Sequence, residues 1–242
     1  MTVTTRDSIS LRKAGIIHIA QPKKGHRFTL DSILLADFCR IKSGEKVLEP
    51  GAGTGIVSIL LAKKFPTSSI TAVEVLSSLA ELCKKNISGN ALEARISVLE
   101  WDITRLKPAM KPGKFDVIVA NPPYTRTGTG RVSPLEERQT ARQDGPDGVG
   151  AWLDLRVFLK NRGRYNLIFP APRTGEILSL LREKKLEPKR MRLVHPYLDK
   201  PASLVLVEAV KAAGVGVEVM PPLIVHEAGG GYTEEMRGIY DV

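Results

Sequence analysis

The residues best suited to chemistry lie in two short, separated segments. Asn121-Pro122-Pro123-Tyr124 ends the apolar run Val117-Ile118-Val119-Ala120, and Gly51-Ala52-Gly53-Thr54-Gly55 follows Lys46-Val47-Leu48-Glu49-Pro50. Asn121 is neutral, so its amide can hold and aim an N–H group but cannot take a proton from it. The prolines stiffen the segment and bias the residue before each of them to extended geometry. Tyr124 offers a flat ring on which a planar ligand can stack. Asn-Pro-Pro also occurs as plain turn punctuation, so its surroundings must decide.

The glycine segment reads as a cradle. Closely spaced glycines between a strand and a helix let the backbone approach a ligand, with helix N–H groups turned toward it. The spacing of Gly51, Gly53 and Gly55 is G-x-G-x-G, whereas dinucleotide sites use G-x-G-x-x-G. Glu49 stands just before the loop, where its charge opposes a pyrophosphate and suits an ammonium group. Glu74, with Val75 after it, ends the next strand pattern and is placed to accept hydrogen bonds from two ribose hydroxyls. Asp102 can accept from an adenine amino group while Ile103 gives backbone and apolar contact; Asp102 reads equally as a helix N-cap. A ligand with a ribose and a positive amino-acid end satisfies Glu49 and Glu74 together, and S-adenosylmethionine is such a ligand.

The elements that must position these residues follow from hydrophobic period. Strand patterns at Lys46–Glu49, Ile70–Val75, Ile96–Leu99 and Asp116–Ala120 alternate with helices at Ile56–Lys64 and Leu79–Asn86, the second capped by Ser77. That alternation predicts an α/β fold, a doubly wound, mostly parallel sheet of the Rossmann-like kind. Tyr165–Phe169, Arg192–Val194 and Ser203–Glu208 bring it to seven strands, with further helices at Val149–Leu159 and Gly175–Glu183. Residues 1–42 form a small N-terminal extension, a hairpin around Ile16–Phe28 followed by a helix over Asp31–Phe38, ahead of a main domain at 43–242. From about 125 to 150 the pattern dissolves into Gly, Pro, Arg, Gln and Asp, as a long functional loop does.

Charge points to the partner. Lys and Arg number 36 against 26 acidic residues, a net +10 that favours a polyanion. Arg126, Arg131, Arg138 and Arg142 follow the Asn-Pro-Pro-Tyr segment as a phosphate-binding rim, although any one basic cluster alone reads as solvated surface. Aromatics make up 5% of the chain, which argues against a wide platform for stacking single-stranded bases. Cys39 and Cys83 share no metal-ligand spacing, so the reading is two core or half-buried thiols, no disulfide and no metal. The apolar runs are too short for a membrane span and the N-terminus lacks a secretory core, which predicts a cytoplasmic protein with no membrane partner. His18, His195 and His226 read as structural or surface residues.

Glu49 to Gly55, Glu74, Asp102 and Asn121 to Tyr124 resemble, in this order, the motifs of the class I S-adenosylmethionine-dependent methyltransferases. The branch is the one that methylates planar amino groups through an Asn/Asp-Pro-Pro-Tyr/Phe/Trp motif. Gln21, His26-Arg27-Phe28, Asp31 to Ala36, Pro221 to Val225 and Gly231-Tyr232-Thr233 further resemble the bacterial tRNA1(Val) adenine-37 N6-methyltransferase group. The resemblance implies that Phe28, Thr29 and Asp31 help enclose the methionine end of the cofactor, with the N-terminal extension closing over it. It also implies a tRNA or other structured RNA as partner; the sequence leaves the oligomeric state open, with a monomer as the expectation. The amine chemistry explains the residue types. The lone pair of an adenine N6 is delocalised into the ring, so the nitrogen is a poor nucleophile until it is tilted toward tetrahedral geometry. The Asn121 oxygen and the Pro122 carbonyl can each accept one N–H and aim the lone pair, with Pro123 and Tyr124 against the base.

The chain departs from the group at Pro50, where an apolar residue such as Leu is expected, and at Gln143-Asp144 after Ala141-Arg142, where His-Glu is usual. Two other functions use the same residues. A protein-glutamine methyltransferase also binds a planar carboxamide nitrogen, but usually carries a helical domain ahead of the glycine loop. A nucleotide- or RNA-binding module without catalysis would have no need of Asn121 and Glu74 intact.

Overall fold

The computed structural model describes residues 4–11, 15–22, 29–106, 110–123 and 148–240. The centre of the molecule is a parallel set: β3 (Lys46–Pro50), β4 (Ser69–Glu74), β5 (Ile96–Glu100) and β6 (Phe115–Ala120). Helix α2 (Ile56–Lys64) joins β3 to β4, and α3 (Ser77–Gly89) joins β4 to β5. Alternate strand residues feed opposite faces. Val47, Val117 and Val119 pack with Ile59 and Leu60 of α2 and with Cys83 and Ile87 of α3. Leu48, Ile118 and Ala120 pack on the other face with Trp152 and Leu153 of α4 (Val149–Asp154) and with Ile177 and Leu181 of α5 (Thr174–Glu183). Strands covered on both faces need near-continuous apolar sequence, which is why β6 reads Phe-Asp-Val-Ile-Val-Ala.

Among the described residues the sheet has nine strands. Their order is β10-β8-β9-β7-β6-β3-β4-β5, with β11 also on β8. Seven are of substantial length, as expected; β10 (Glu218–Val219) and β11 (Leu223–Ile224) are two-residue additions at the β8 rim. β7 (Leu159–Pro170) runs parallel to β6, while β9 (Leu204–Lys211) is antiparallel to both β7 and β8 (Leu186–His195). The chain leaves β3 toward β4 and β5, then returns to place β6 on the other side of β3. Such a reversal opens a crevice at the C-terminal ends of the strands, where ligands of doubly wound sheets bind.

Several expectations are corrected. The N-terminal hairpin lies earlier than Ile16–Phe28: β1 (Thr4–Leu11) pairs with β2 (Gly15–Pro22) from Thr4↔Pro22 to Leu11↔Gly15. Residues 23–28 lie outside the described set. Ser77 does not cap α3. It is the first helical residue, after an N-cap Leu76 that makes no side-chain bond, and its hydroxyl donates to Glu100. The helix expected over Val149–Leu159 ends at Asp154, passes through a 3-10 turn, and gives way to β7 at Leu159.

One local device ties the hairpin to the body. Asn86 and Asn90, one turn apart on α3, act as rungs for β2. Asn90 accepts from His18 N at 3.3 Å and donates to His18 O at 2.8 Å. Asn86 accepts from Ala20 N at 2.8 Å and donates to Ala20 O and to Thr54 O, both at 2.9 Å. Four residues of helix advance about 6 Å and two of strand about 6.7 Å, so the two amides meet alternate strand residues. Through Thr54 the same side chain reaches the glycine loop.

Candidate cofactor and amine site

The glycine loop is shaped by three left-handed residues, Gly51 (φ +64°), Gly53 (φ +56°) and Gly55 (φ +85°). Two of them also meet close walls. A Cβ on Gly51 would lie 2.5 Å from the Trp152 ring, and one on Gly55 would lie 2.6 Å from Cys83 Sγ. Glu74, 2% exposed, fastens the loop from below. Its Oε2 accepts from Gly53 N at 2.8 Å and its Oε1 from Leu76 N at 3.0 Å. Each oxygen keeps a second acceptor position.

Gly51, Glu74, Val75, Asp102 and Ile103 line one cavity of about 320 Å³, together with Arg105 and Trp152. Thus five of the residues expected to hold the cofactor converge at the end of β4. Asp102 caps the turn Ile103–Arg105, its Oδ1 accepting from Thr104 N (2.8 Å) and Thr104 Oγ1 (2.7 Å), and the residue also lines this cavity. Trp152 and Arg105 were missed by sequence reasoning. Trp152 falls on the apolar face of a helix and is 2% exposed, so its sequence signal is that of a core residue. A larger cavity of about 570 Å³ is lined by Arg40, Lys42 and Arg164 among others, and by no residue of the glycine loop.

Glu49 does not line the smaller cavity. It is buried (4% exposed) and accepts a short hydrogen bond from Ser58 of α2. Burial, with a smaller contribution from the Glu74 charge, pushes its carboxyl up to about 8 against the lowering effect of Ser58. Burial likewise raises the Cys39 thiol to about 12 and raises Cys83, so both stay protonated, as core thiols do. Thr29 is the N-cap of α1 (Leu30–Phe38) and Asp31 lies in its first turn; neither borders the smaller cavity.

Asn121 leaves the end of β6 half-buried, followed by a buried Pro122 and a half-buried Pro123. β3 and β6 pair in parallel with Val47 opposite Val117 and Leu48 opposite Ile118. Continuing that register puts Asn121 level with Gly51, across the switch-point crevice. Phe28, Tyr124, Arg126, Arg131, Arg138 and Arg142 lie outside the described residues. Among the described residues no helix is long and apolar enough to cross a membrane, and no group of three His, Cys, Asp or Glu side chains could hold a metal ion.

Residues 26–136 match the model of the methyltransferase small domain. A tRNA1(Val) (adenine(37)-N6)-methyltransferase of a Flavobacteriaceae bacterium is 31% identical over 169 residues, 69% of this chain and 70% of the relative. The chain belongs to this methyltransferase family. A Vibrio campbellii relative of the same name is 26% identical over 222 residues, 90% of either chain. Solved structures repeat the fold of this family member. A predicted O-methyltransferase from Agrobacterium tumefaciens superposes with a TM-score of 0.70 at 23% identity, over 86% of this chain and 94% of that one. A 16S rRNA N2 G1207 methyltransferase from T. thermophilus, in complex with AdoMet and guanosine, gives 0.62 at 20% identity, over 87% of this chain and 51% of that one.

The cofactor of this methyltransferase is S-adenosylmethionine, and the cavity residues fit it. Gly51 keeps open a wall that any larger residue would fill, two carboxylates border the space, and Val75, Ile103 and Trp152 supply apolar surface.

Proposed function

We propose that the protein methylates the exocyclic N6 amine of an adenine in tRNA, using S-adenosylmethionine. The observation that supports this reading is the β3–β6 register, which when continued sets the neutral acceptor Asn121 level with Gly51, a residue that lines the cavity. The names of the relatives give the substrate class.

In this reading Glu74 accepts from the ribose hydroxyls, Asp102 from the adenine amino group, and Val75 and Ile103 flank the purine. Gly51, Gly53 and Gly55 let the backbone come close. Glu49 faces the ammonium, and Phe28, Thr29 and Asp31 enclose the methionine end beneath the extension of residues 1–42. When bound, the cofactor supplies an electrophilic methyl on a sulfonium, a good leaving group without any metal. Asn121 and the Pro122 carbonyl each accept one N–H of the target amine, so its lone pair is freed from the ring and aimed. Pro123 and Tyr124 hold the base, and Arg126, Arg131, Arg138 and Arg142 meet phosphates. The rate gain comes from alignment: the N–CH3 bond forms as the S–CH3 bond breaks, and the methylated nitrogen then loses one proton to water. We assign this activity to a cytoplasmic monomer.

The test is methyl transfer to unmodified tRNA, with the product nucleosides resolved by mass spectrometry. N6-methyladenosine is expected, and methylglutamine in a protein substrate instead would favour the alternative enzyme. Asn121→Ala should reduce transfer by about 100-fold or more, with cofactor affinity nearly unchanged. Full activity in that variant would remove Asn121 from the chemistry.

A further inference from the structure

The ends of several strands form one continuous rim that runs from Asn121 to an aromatic cluster. β7 follows β6, and Ala171, just past its end, donates to Ser203 O at 2.9 Å. Ser203 N in turn donates to Val194 O at 2.9 Å, and Val225 N to His195 O at 2.8 Å. Since β8 runs parallel to β6, the end of β8 lies at the same end of the sheet as Asn121, three strand spacings or about 14 Å across and three residues or about 10 Å further along.

On that rim the rings of Tyr197, His226 and Tyr232 form a ladder. Tyr197 and His226 are 5.3 Å apart, and His226 and Tyr232 are stacked at 5.2 Å and 13°. Tyr240 closes the inner end edge-on to Tyr232 at 5.9 Å. His226 Nδ1 lies 3.1 Å from Gly231 O, and His226 N donates to Pro196 O at 2.9 Å, so backbone contacts fix the middle ring. The outer end is open to water: Tyr197 is 36% exposed and Leu198 is 80% exposed. Both sit in a turn pinned by Lys200 N to Tyr197 O (3.2 Å) and by the contact of His195 Nδ1 with Lys200 O (2.8 Å).

An exposed ring and a more exposed leucine, held rigid, suit a flat apolar partner. Among the described residues, three nearby cations are paired with acids: Lys200 with Asp199, Arg237 with Glu227, and Arg192 with Glu235. The patch is therefore close to neutral, on a chain of net charge +10. A neutral aromatic patch suits a nucleobase better than a phosphate.

We propose that Tyr197 and Leu198, backed by His226 and Tyr232, form a second substrate surface on which an unpaired base of the RNA stacks, a few nucleotides from the target adenine. This rests on the RNA reading of the active site. Aromatics are sparse in the chain as a whole, but Tyr197, Tyr232 and Tyr240 gather with His226 at one rim.

The test is tRNA binding by the full chain across a salt series, together with transfer kinetics. Tyr197→Ala should weaken tRNA binding by about tenfold, the expected contribution of one base–aromatic stack. The slope of affinity against salt should not change, because no phosphate contact is lost. KM for tRNA should rise with kcat and cofactor affinity held, and Tyr197→Phe should restore wild-type binding. Leu198→Ser, at a side chain with little support from the body, should weaken binding by about threefold without a change in thermal melting. Wild-type tRNA affinity in both Tyr197→Ala and Leu198→Ser overturns the surface, as does a loss that comes with a flatter salt slope. If the unaltered protein methylates no RNA, the RNA reading itself falls and this surface falls with it.

Discussion

Replacing Glu49 with Gln should uncouple cofactor binding from proton release. In the free protein the carboxyl is raised to about 8 by burial, so at pH 6.5 it is almost wholly neutral. An ammonium group bound beside it favours the ionised form, and the proton must leave. The cofactor's own amino group, with an ordinary pKa near 8, is already charged at that pH and takes up almost nothing. Calorimetry in buffers of different ionisation enthalpy should therefore show close to one proton released per cofactor bound. Affinity should rise about tenfold per pH unit between pH 6 and 7. In Glu49→Gln both the release and the slope should vanish. The same group leaves a mark on stability with the opposite sign. Its folded pKa lies above its unfolded value of about 4.5, so the folded state holds an extra proton between about 4.5 and 8. Stability of the cofactor-free protein should fall as pH rises through that window, by a few kcal/mol at most, and be flat above it. No proton release by the unaltered protein, or the same release from Glu49→Gln, would refute the placement of Glu49 beside the ammonium.

Other substitutions probe the loop and its supports. Gly51→Ala puts a Cβ 2.5 Å from Trp152 at a left-handed φ, and should lower cofactor affinity more than tenfold by calorimetry; wild-type affinity would mean that Trp152 moves aside freely. Gly55→Ala should lower the melting temperature through its contact with Cys83 Sγ, and Cys83→Ala should recover part of the loss but not the φ cost of about 1–2 kcal/mol; no recovery would deny the clash. Asn86→Ala strips partners from Ala20 N, Ala20 O and Thr54 O, and should cost roughly 2–4 kcal/mol in denaturant unfolding and speed proteolysis within β1 and β2; an unchanged midpoint would show that these groups find other partners.

The parallel half of the fold was legible because buried parallel strands and their helices carry their own period. Ile56–Lys64 is bounded as the sequence reads it, and β3 to β6 fall within a residue or so of expectation. Elements fixed by distant partners were not legible. β1 pairs along its whole length with β2, which in turn rests on amides about seventy residues further along, and no local pattern marks that support. The start of β7, Leu159-Lys160-Asn161-Arg162-Gly163-Arg164, is polar and glycine-containing, and is held at its ends, by Leu159 opposite Phe115 of β6 and by Arg164 opposite Val117 of β6 and Val210 of β9. In the site, the spacing of Gly51, Glu74, Asp102 and Asn121 was readable because each ends or follows a strand. The walls were not: Trp152 looks like core in sequence, and only the packed sheet sets its ring against Gly51. Glu74 reads as a ligand acceptor, whereas the bonds its carboxylate accepts from Gly53 N and Leu76 N depend on a turn geometry that no spacing encodes.

The rim of β8 has a bearing on how the molecule lives at high concentration. A bare outermost strand offers a row of free N–H and C=O groups on which a neighbouring molecule can add its own strand, the first step toward aggregation. Here β10 covers Arg190–Met191 and β11 covers Val194–His195, so the ladder is cut into two stubs. Between the stubs the chain reads Met220-Pro221-Pro222, and its prolines have no N–H to offer. On the β8 side the sheet therefore ends in a broken edge that gives a second copy no continuous ladder to extend.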